Sequence, residues 1–187
     1  MAACGLYGKL ASRGDFVSRR LPREFVEPWD AWLQAGLSAS RAALGEDWLE
    51  CYLTSPLWRF ALGPGCCGAQ AVAGVMMPSV DRVGRYFPLV LAQPLDGELA
   101  PDALARDAAD WYAQTEALAL AALDEALDLD GWDAAVAALP EPVGARALRL
   151  PGTPTVGRIA DIADAGLAAG RLARARLAPD WRGSSVW

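Results

Sequence analysis

The sequence contains no histidine, which removes the residue that most often serves as a general base or metal ligand near neutral pH. Sites that pair a serine or cysteine nucleophile with histidine are therefore excluded. The four cysteines have no C-x-x-C spacing, so the usual zinc patterns are also missing; they are Cys4, Cys51, Cys66 and Cys67. We therefore expect no metal, no cofactor and no enzymatic activity.

Basic charge is scarce. Lys9 is the single lysine beside sixteen arginines, and 23 acidic residues bring the net charge to −6. Residues 1–95 carry nine basic and eight acidic groups, whereas residues 96–187 carry eight basic and fifteen acidic groups. An acidic chain without a basic stripe argues against nucleic acid as a partner.

Long hydrophobic runs are absent as well. No apolar stretch approaches the ~20 residues that a membrane-spanning helix needs, and Met1–Leu10 lacks the basic start and apolar block of a signal peptide. We expect a cytoplasmic protein without a membrane span. With 53% hydrophobic residues in 187 positions, the sequence predicts a single domain, residues 1–187, with a substantial core.

The most informative stretch is Gly74–Leu91, which reads GVMMPSVDRVGRYFPLVL. Two apolar runs, Ala71–Met77 and Tyr86–Leu91, flank an insert punctuated by proline and glycine. This pattern predicts two adjacent strands joined by a loop. Because both runs are almost continuously apolar, we expect both strands to be covered on each face.

The insert places charged groups between two strands of the core. Its polar side chains are Ser79, Asp81, Arg82 and Arg85. We expect Val80 and Val83 to anchor the loop to the body of the protein. Two interpretations stay open: Asp81 pairs with one of the arginines and closes the loop, or the loop presents a recognition surface.

Periodicity and turn signals place the remaining elements. Helices are predicted at Pro22–Leu44, Glu46–Tyr52, Pro101–Leu129, Trp132–Leu139 and Asp161–Leu177. Further strands are predicted at Cys4–Leu10, Phe16–Val17, Leu57–Leu62, Ala145–Leu150 and Trp181–Trp187, and the strand that contains Ala71–Met77 is predicted to span Ala69–Met77. Pro28 either kinks the first helix or marks its true start. Short links join the three consecutive strands Leu57–Leu62, Ala69–Met77 and Tyr86–Leu91. Short links predict antiparallel pairing, and hence an α+β fold.

Four segments in one order resemble the TagF (ImpM-like) proteins associated with bacterial type VI secretion. They are Gly5–Phe16 (GLYGKLASRGDF), Leu21–Leu37, Tyr52–Leu62 and Gly74–Leu91. These segments make residues 5–95 the motif-bearing core of the resemblance. Residues 96–187 are more helical and resemble the family loosely, although Gly183–Trp187 is similar to its Ser-aliphatic-Trp ending.

The resemblance implies a cytoplasmic accessory factor that restrains type VI secretion after translation. Such proteins are linked to the system's forkhead-associated scaffold protein and act apart from, or beside, its threonine kinase/phosphatase switch. They are not known as enzymes. Their fold implies an α/β sandwich, a mostly antiparallel sheet with helices on both faces.

The matched loops supply the candidate site, whose residues either contact a partner or brace the loops: Lys9, Arg13, Asp15, Ser79, Asp81, Arg82 and Arg85. We expect a monomer or weak dimer. One alternative is a structural subunit that assembles through exposed aromatic residues such as Trp181 and Trp187. Another is a hydrolase that uses Ser79 as its nucleophile.

Overall fold

An antiparallel sheet of six strands forms the centre of the structure, a computed structural model that describes residues 2–96, 108–142 and 185–186. The strands are β1 (Gly5–Gly8), β2 (Val17–Arg19), β3 (Trp58–Leu62), β4 (Ala71–Met77), β5 (Leu89–Leu95) and β6 (Ser185–Val186). Their order across the sheet is β2-β1-β5-β4-β3-β6. Strands β4 and β5 therefore lie in the middle.

Helices cover the two faces of this sheet. They are α1 (Arg23–Leu44), α2 (Trp48–Leu53), α3 (Ala109–Ala121) and α4 (Leu129–Ala137). On one face, α1 packs Phe25, Trp29 and Leu33 against a cluster that includes Phe60 and Val90. On the other face, α3 and α4 contribute Trp111, Tyr112 and Trp132 to a second cluster, which includes Val75 and Leu91. The predicted α+β single-domain fold with helices on both faces is thus confirmed.

Helix α1 follows the predicted bounds closely. Pro22 takes an extended conformation at the N-cap, and the helix runs through Pro28 to Leu44 without ending there. Its buried side chains are Phe25, Trp29 and Leu33, whereas Trp32 is 48% exposed. Among the described residues, no helix combines the length and hydropathy that crossing a bilayer requires.

The two strands around the insert are adjacent, antiparallel and buried along nearly their whole length, as predicted. The bounds of the second strand differ, because Tyr86 instead forms an isolated bridge with Val80. The strand then continues through Pro94 to Leu95, beyond the predicted end at Leu91. The pairing of β5 with β1 ends at Ala92. On that side of the strand no β1 carbonyl requires an N–H group at Pro94, so a proline is tolerated there.

The predicted helix Pro101–Leu129 is wrong as a single element. Helix α3 ends at Ala121, and a turn leads to α4. The Asp124 carboxylate accepts from the Ala126 N–H at 2.8 Å, and Asp128 caps α4 through the Asp130 N–H at 3.2 Å. These local side-chain bonds compete with helix continuation.

Other predictions fall beyond the described part of the chain. Residues 101–107 of that helix lie outside it, as do the predicted strand Ala145–Leu150 and helix Asp161–Leu177. The last predicted strand, Trp181–Trp187, is confirmed at Ser185–Val186, which pairs with β3.

Candidate functional site

Two loops, residues 9–16 after β1 and residues 78–88 between β4 and β5, meet at one end of the sheet. We call these two loops the charged bend. They emerge together because β1 pairs antiparallel with β5, with Tyr7 opposite Val90. The Arg82 N–H donates to the Arg13 carbonyl at 2.9 Å and joins the loops directly. Gly8 allows the end of β1 to lie close to the second loop, because a Cβ at this position would lie only 2.2 Å from the Pro88 carbonyl oxygen.

Asp81 lies at the centre of the bend with its side chain completely buried. Its Oδ1 accepts from the backbone N–H groups of Val83 at 3.1 Å and Arg85 at 2.9 Å. Its Oδ2 accepts from Arg85 Nε at 2.7 Å and from Lys9 Nζ. One carboxylate therefore holds the tip of its own loop and a lysine from the other loop.

The Asp81 carboxyl is held in its ionised form. Burial by itself would raise its pKa, but the hydrogen bonds from Lys9 and Arg85 outweigh that effect and hold the pKa well below its usual range. The Lys9 side chain is also buried, and its Nζ lies 4.7 Å from the centre of the Phe16 ring. The buried ammonium needs this carboxylate, because removing a single unpaired charge from water into the protein interior costs on the order of several kcal/mol.

Ser79 belongs to the bracing of the bend. Its hydroxyl donates to the Lys9 carbonyl at 2.8 Å, and the residue is only 3% exposed. The Tyr52 hydroxyl accepts from the Ser79 N–H at 3.0 Å and donates to the Ser79 carbonyl at 2.8 Å. A buried hydroxyl that donates to a backbone carbonyl is not presented to a substrate, which argues against the hydrolase interpretation.

Tyr52 is a site residue that the sequence did not reveal. It lies in α2, is 8% exposed, and its pKa is raised to about 12, chiefly by burial. Its hydroxyl therefore stays protonated and able to donate. The aromatic character of α2 was visible in the sequence, but its contact with a loop 27 positions away was not.

The remaining candidate residues lie at the surface of the bend. Arg13, Asp15 and Arg82 are exposed. Arg85 is half exposed: it holds Asp81, donates through Nη2 to the Gly14 carbonyl, and lies 3.9 Å from Asp15 Oδ1. The partner of Asp81 is thus Arg85, together with Lys9, and not Arg82.

The two valines of the second loop differ from each other. Val80 is partly buried and bridges to Tyr86, as expected of an anchor. Val83 is 64% exposed, so the prediction that it anchors the loop is wrong. The reason is that Asp81 turns the loop by accepting the Val83 N–H, which makes a buried side chain at that position unnecessary.

The acidic and cysteine side chains of the described ranges are the remaining candidates for metal binding or thiol chemistry. Among residues 2–96, 108–142 and 185–186, no three histidine, cysteine or acidic side chains lie together as metal ligands would. Burial raises the pKa of the neighbouring thiols of Cys66 and Cys67, and that of Cys4 to about 12. These thiols therefore carry little of the reactive thiolate near neutral pH.

Comparison with known proteins identifies the family. The family model of the TagF N-terminal domain, described as type VI secretion system-associated, matches residues 5–139. One similar solved structure is that of PA0076 from Pseudomonas aeruginosa PAO1, with 44% sequence identity and a TM-score of 0.77 over 98% of this chain and 80% of that chain. No protein with a curated description matches. The matched residues include the whole charged bend and both helical layers, and the chain belongs to the TagF family of type VI secretion-associated proteins.

Proposed function

We propose that this protein is a cytoplasmic, non-enzymatic regulator that restrains type VI secretion after translation. It does so by binding the forkhead-associated scaffold protein of the secretion system. The observation that carries the proposal is the charged bend: a buried ion-pair centre at Asp81 fixes two loops, and exposed arginines lie on the outer side of those loops. Function concentrates on loops that a rigid scaffold positions.

The construction of the bend suits a binding surface. The buried side chains of Lys9, Ser79 and Asp81 are used in hydrogen bonds to each other and to the backbone. A loop fixed in advance loses little conformational entropy when a partner docks. The same arrangement offers no exposed nucleophile beside a general base among the described residues, so binding accounts for it better than catalysis does.

Capture and secretion assays test this function together. We expect the immobilised full chain to retain the purified forkhead-associated scaffold protein. When overproduced in the bacterium, it is expected to lower secretion while the amounts of the system's components, measured by immunoblot, stay constant. A fall in those amounts would mean that the protein acts on the synthesis or degradation of the components and not on their assembly. An absence of capture would remove the scaffold as the partner.

A second candidate function is a structural subunit that assembles through exposed aromatic residues. It is favoured by Trp32, which is 48% exposed at the edge of an apolar cleft of about 210 Å³. Trp181 and Trp187, the two residues that the sequence suggests for this role, lie outside the described residues. Sedimentation separates the two functions, since stable assembly predicts an oligomer at micromolar concentration and the regulator predicts a monomer or weak dimer.

A further inference from the structure

An open cleft of about 330 Å³ adjoins the charged bend. Its lining includes Arg13, Asp15, Phe16, Arg19, Arg82 and Leu129. Three guanidinium groups and one carboxylate give this lining a charge of +2, in a chain whose net charge is −6. The cleft is therefore suited to an anionic ligand, although the molecule as a whole is acidic.

The arginines of this cleft are fixed at the backbone, whereas their side chains are exposed. The Arg82 N–H is bonded to the Arg13 carbonyl, and the Asp81 centre fixes the loop around them. Across the described residues, the guanidinium groups of Arg13 and Arg82 take part in no ion pair. The Arg19 Nη1 donates to the adjacent Ser18 carbonyl, at 2.9 Å. Within the part of the chain that the structure describes, Arg13 and Arg82 thus line the cleft without an ion-paired carboxylate, whereas Arg19 acts electrostatically on Asp133.

Apolar surface lies beside these charges. Phe16 lines the cleft and is 47% exposed, and Val83 in the second loop is 64% exposed. The Phe16 ring is held in place by Tyr7, whose ring centre is 5.6 Å away, and by Phe87 at 4.8 Å. Arginine next to a rigid, exposed aromatic ring is a combination enriched in protein–protein interfaces.

We infer that this cleft binds an acidic segment of the partner protein, whose Asp or Glu carboxylates pair with Arg13 and Arg82 and whose apolar side chain packs on Phe16. The planar guanidinium group matches a carboxylate in two parallel hydrogen bonds, which gives the contact direction as well as charge. A nucleic acid is disfavoured, because a net charge of −6 repels a polyanion and the cleft holds only a few side chains.

The candidate residues divide by role, and the identity of the partner rests on the proposed function. Arg13 and Arg82 contact the segment. Lys9, Ser79 and Asp81 position the loops that carry these two arginines. The chemistry of the cleft itself, a guanidinium pair for carboxylates, is independent of which protein supplies the segment.

Fluorescence polarisation tests the cleft with a labelled synthetic peptide that alternates Glu and Leu. The full chain is expected to bind it, more weakly as salt rises. The double variant R13E/R82E is expected to bind it at least about tenfold more weakly. The control R23E makes the same kind of charge change at a side chain that is 91% exposed on α1 and does not line the cleft. Its binding should equal that of wild type, and circular dichroism should be unchanged in both variants.

The same variants separate this inference from the proposed function. If the scaffold protein is captured equally by wild type and R13E/R82E, the inference is overturned and the proposed function stands. If the scaffold is not captured but the peptide binds in an Arg13- and Arg82-dependent way, the cleft stands and the proposed partner fails. If a single-stranded oligonucleotide binds the wild type as tightly as the peptide does, the cleft is assigned to nucleic acid and the inference is overturned. If the wild type forms a dimer that R13E/R82E does not form, the cleft is assigned to a second copy of the chain and the inference is likewise overturned.

Discussion

At the scale of single residues, the buried Lys9–Asp81 pair decides the shape of the charged bend. The substitution Asp81→Asn keeps the side-chain shape but leaves the Lys9 ammonium without its counter-charge. We expect a loss of about 3 kcal/mol in the free energy of unfolding, measured by urea denaturation. The effect should be far larger than that of Arg23→Gln, which breaks an exposed pair with Glu27 and should change stability by less than about 0.5 kcal/mol.

A double-mutant cycle assigns this loss to the pair. Lys9→Met in the Asp81→Asn background removes the unpaired charge, so the double variant should be less destabilised than the sum of the two single variants, with a coupling of about 1–3 kcal/mol. Additive effects would mean that Lys9 and Asp81 act independently, and the central role given to Asp81 would be wrong.

The low pKa of Asp81 predicts a specific acid sensitivity. A carboxyl group whose pKa is lower in the folded state adds stability above its unfolded value of about 3.9, and that stability is lost as the pH falls toward the folded value. Stability of the wild type should therefore fall more steeply than that of Asp81→Asn between about pH 5 and pH 2.5.

Urea midpoints measured across this pH range check the prediction. Asp133, whose pKa is lowered by its hydrogen bond from Arg20, is present in both proteins, so the difference between the two curves reports on Asp81. Parallel curves would show that the Asp81 carboxyl titrates alike in the folded and unfolded chain.

At the scale of elements, the contact between β3, β4 and β5 depends on Gly74. A Cβ at this position would lie 2.4 Å from the Phe60 ring and 2.7 Å from the Leu91 carbonyl oxygen, and both groups are fixed in the core. We expect Gly74→Ala to lower the free energy of unfolding by about 1–3 kcal/mol, because the strands must move apart. Thermal and urea denaturation measure the change.

Gly36 provides the matched control at the same scale. It lies in α1, and a Cβ added there would meet no atom within 4 Å, so Gly36→Ala should stabilise the protein by about 0.5–1 kcal/mol through helix propensity. If both substitutions changed the free energy of unfolding in the same direction, packing around Gly74 would not explain the effect of Gly74→Ala.

At the scale of the whole molecule, β6 covers one edge of the sheet. Ser185 and Val186 pair with Leu62 and Ala61 of β3, although more than 120 positions separate them in the chain. Removal of residues 185–187 would leave the edge of β3 unpaired, and unpaired edges promote association between chains. We expect a lower melting temperature and self-association that grows with concentration, measured by differential scanning calorimetry and light scattering. A monodisperse shortened chain with an unchanged melting temperature would contradict this role of β6.

The sequence by itself determined the α+β architecture, because hydrophobic periodicity reports directly on which face of an element is buried. Strands β3 and β4 and helix α1 begin and end within about two residues of their predicted bounds, whereas β5 begins and ends later than predicted. The family resemblance was also readable, because it depends on the order of short motifs and not on three-dimensional contacts. The same motifs contain all the polar residues that meet in the charged bend.

Only the tertiary structure decided the roles within that set. Asp81 and Arg82 are neighbours in sequence, yet one is completely buried and the other exposed. What separates them is the approach of Lys9 from a loop 72 positions away and the backbone N–H groups that converge on one carboxylate. Such contacts depend on how β1 and β5 pair, and local sequence carries no record of that pairing. The sequence thus determines which groups are available, whereas long-range packing selects which of them brace the fold and which remain at the surface.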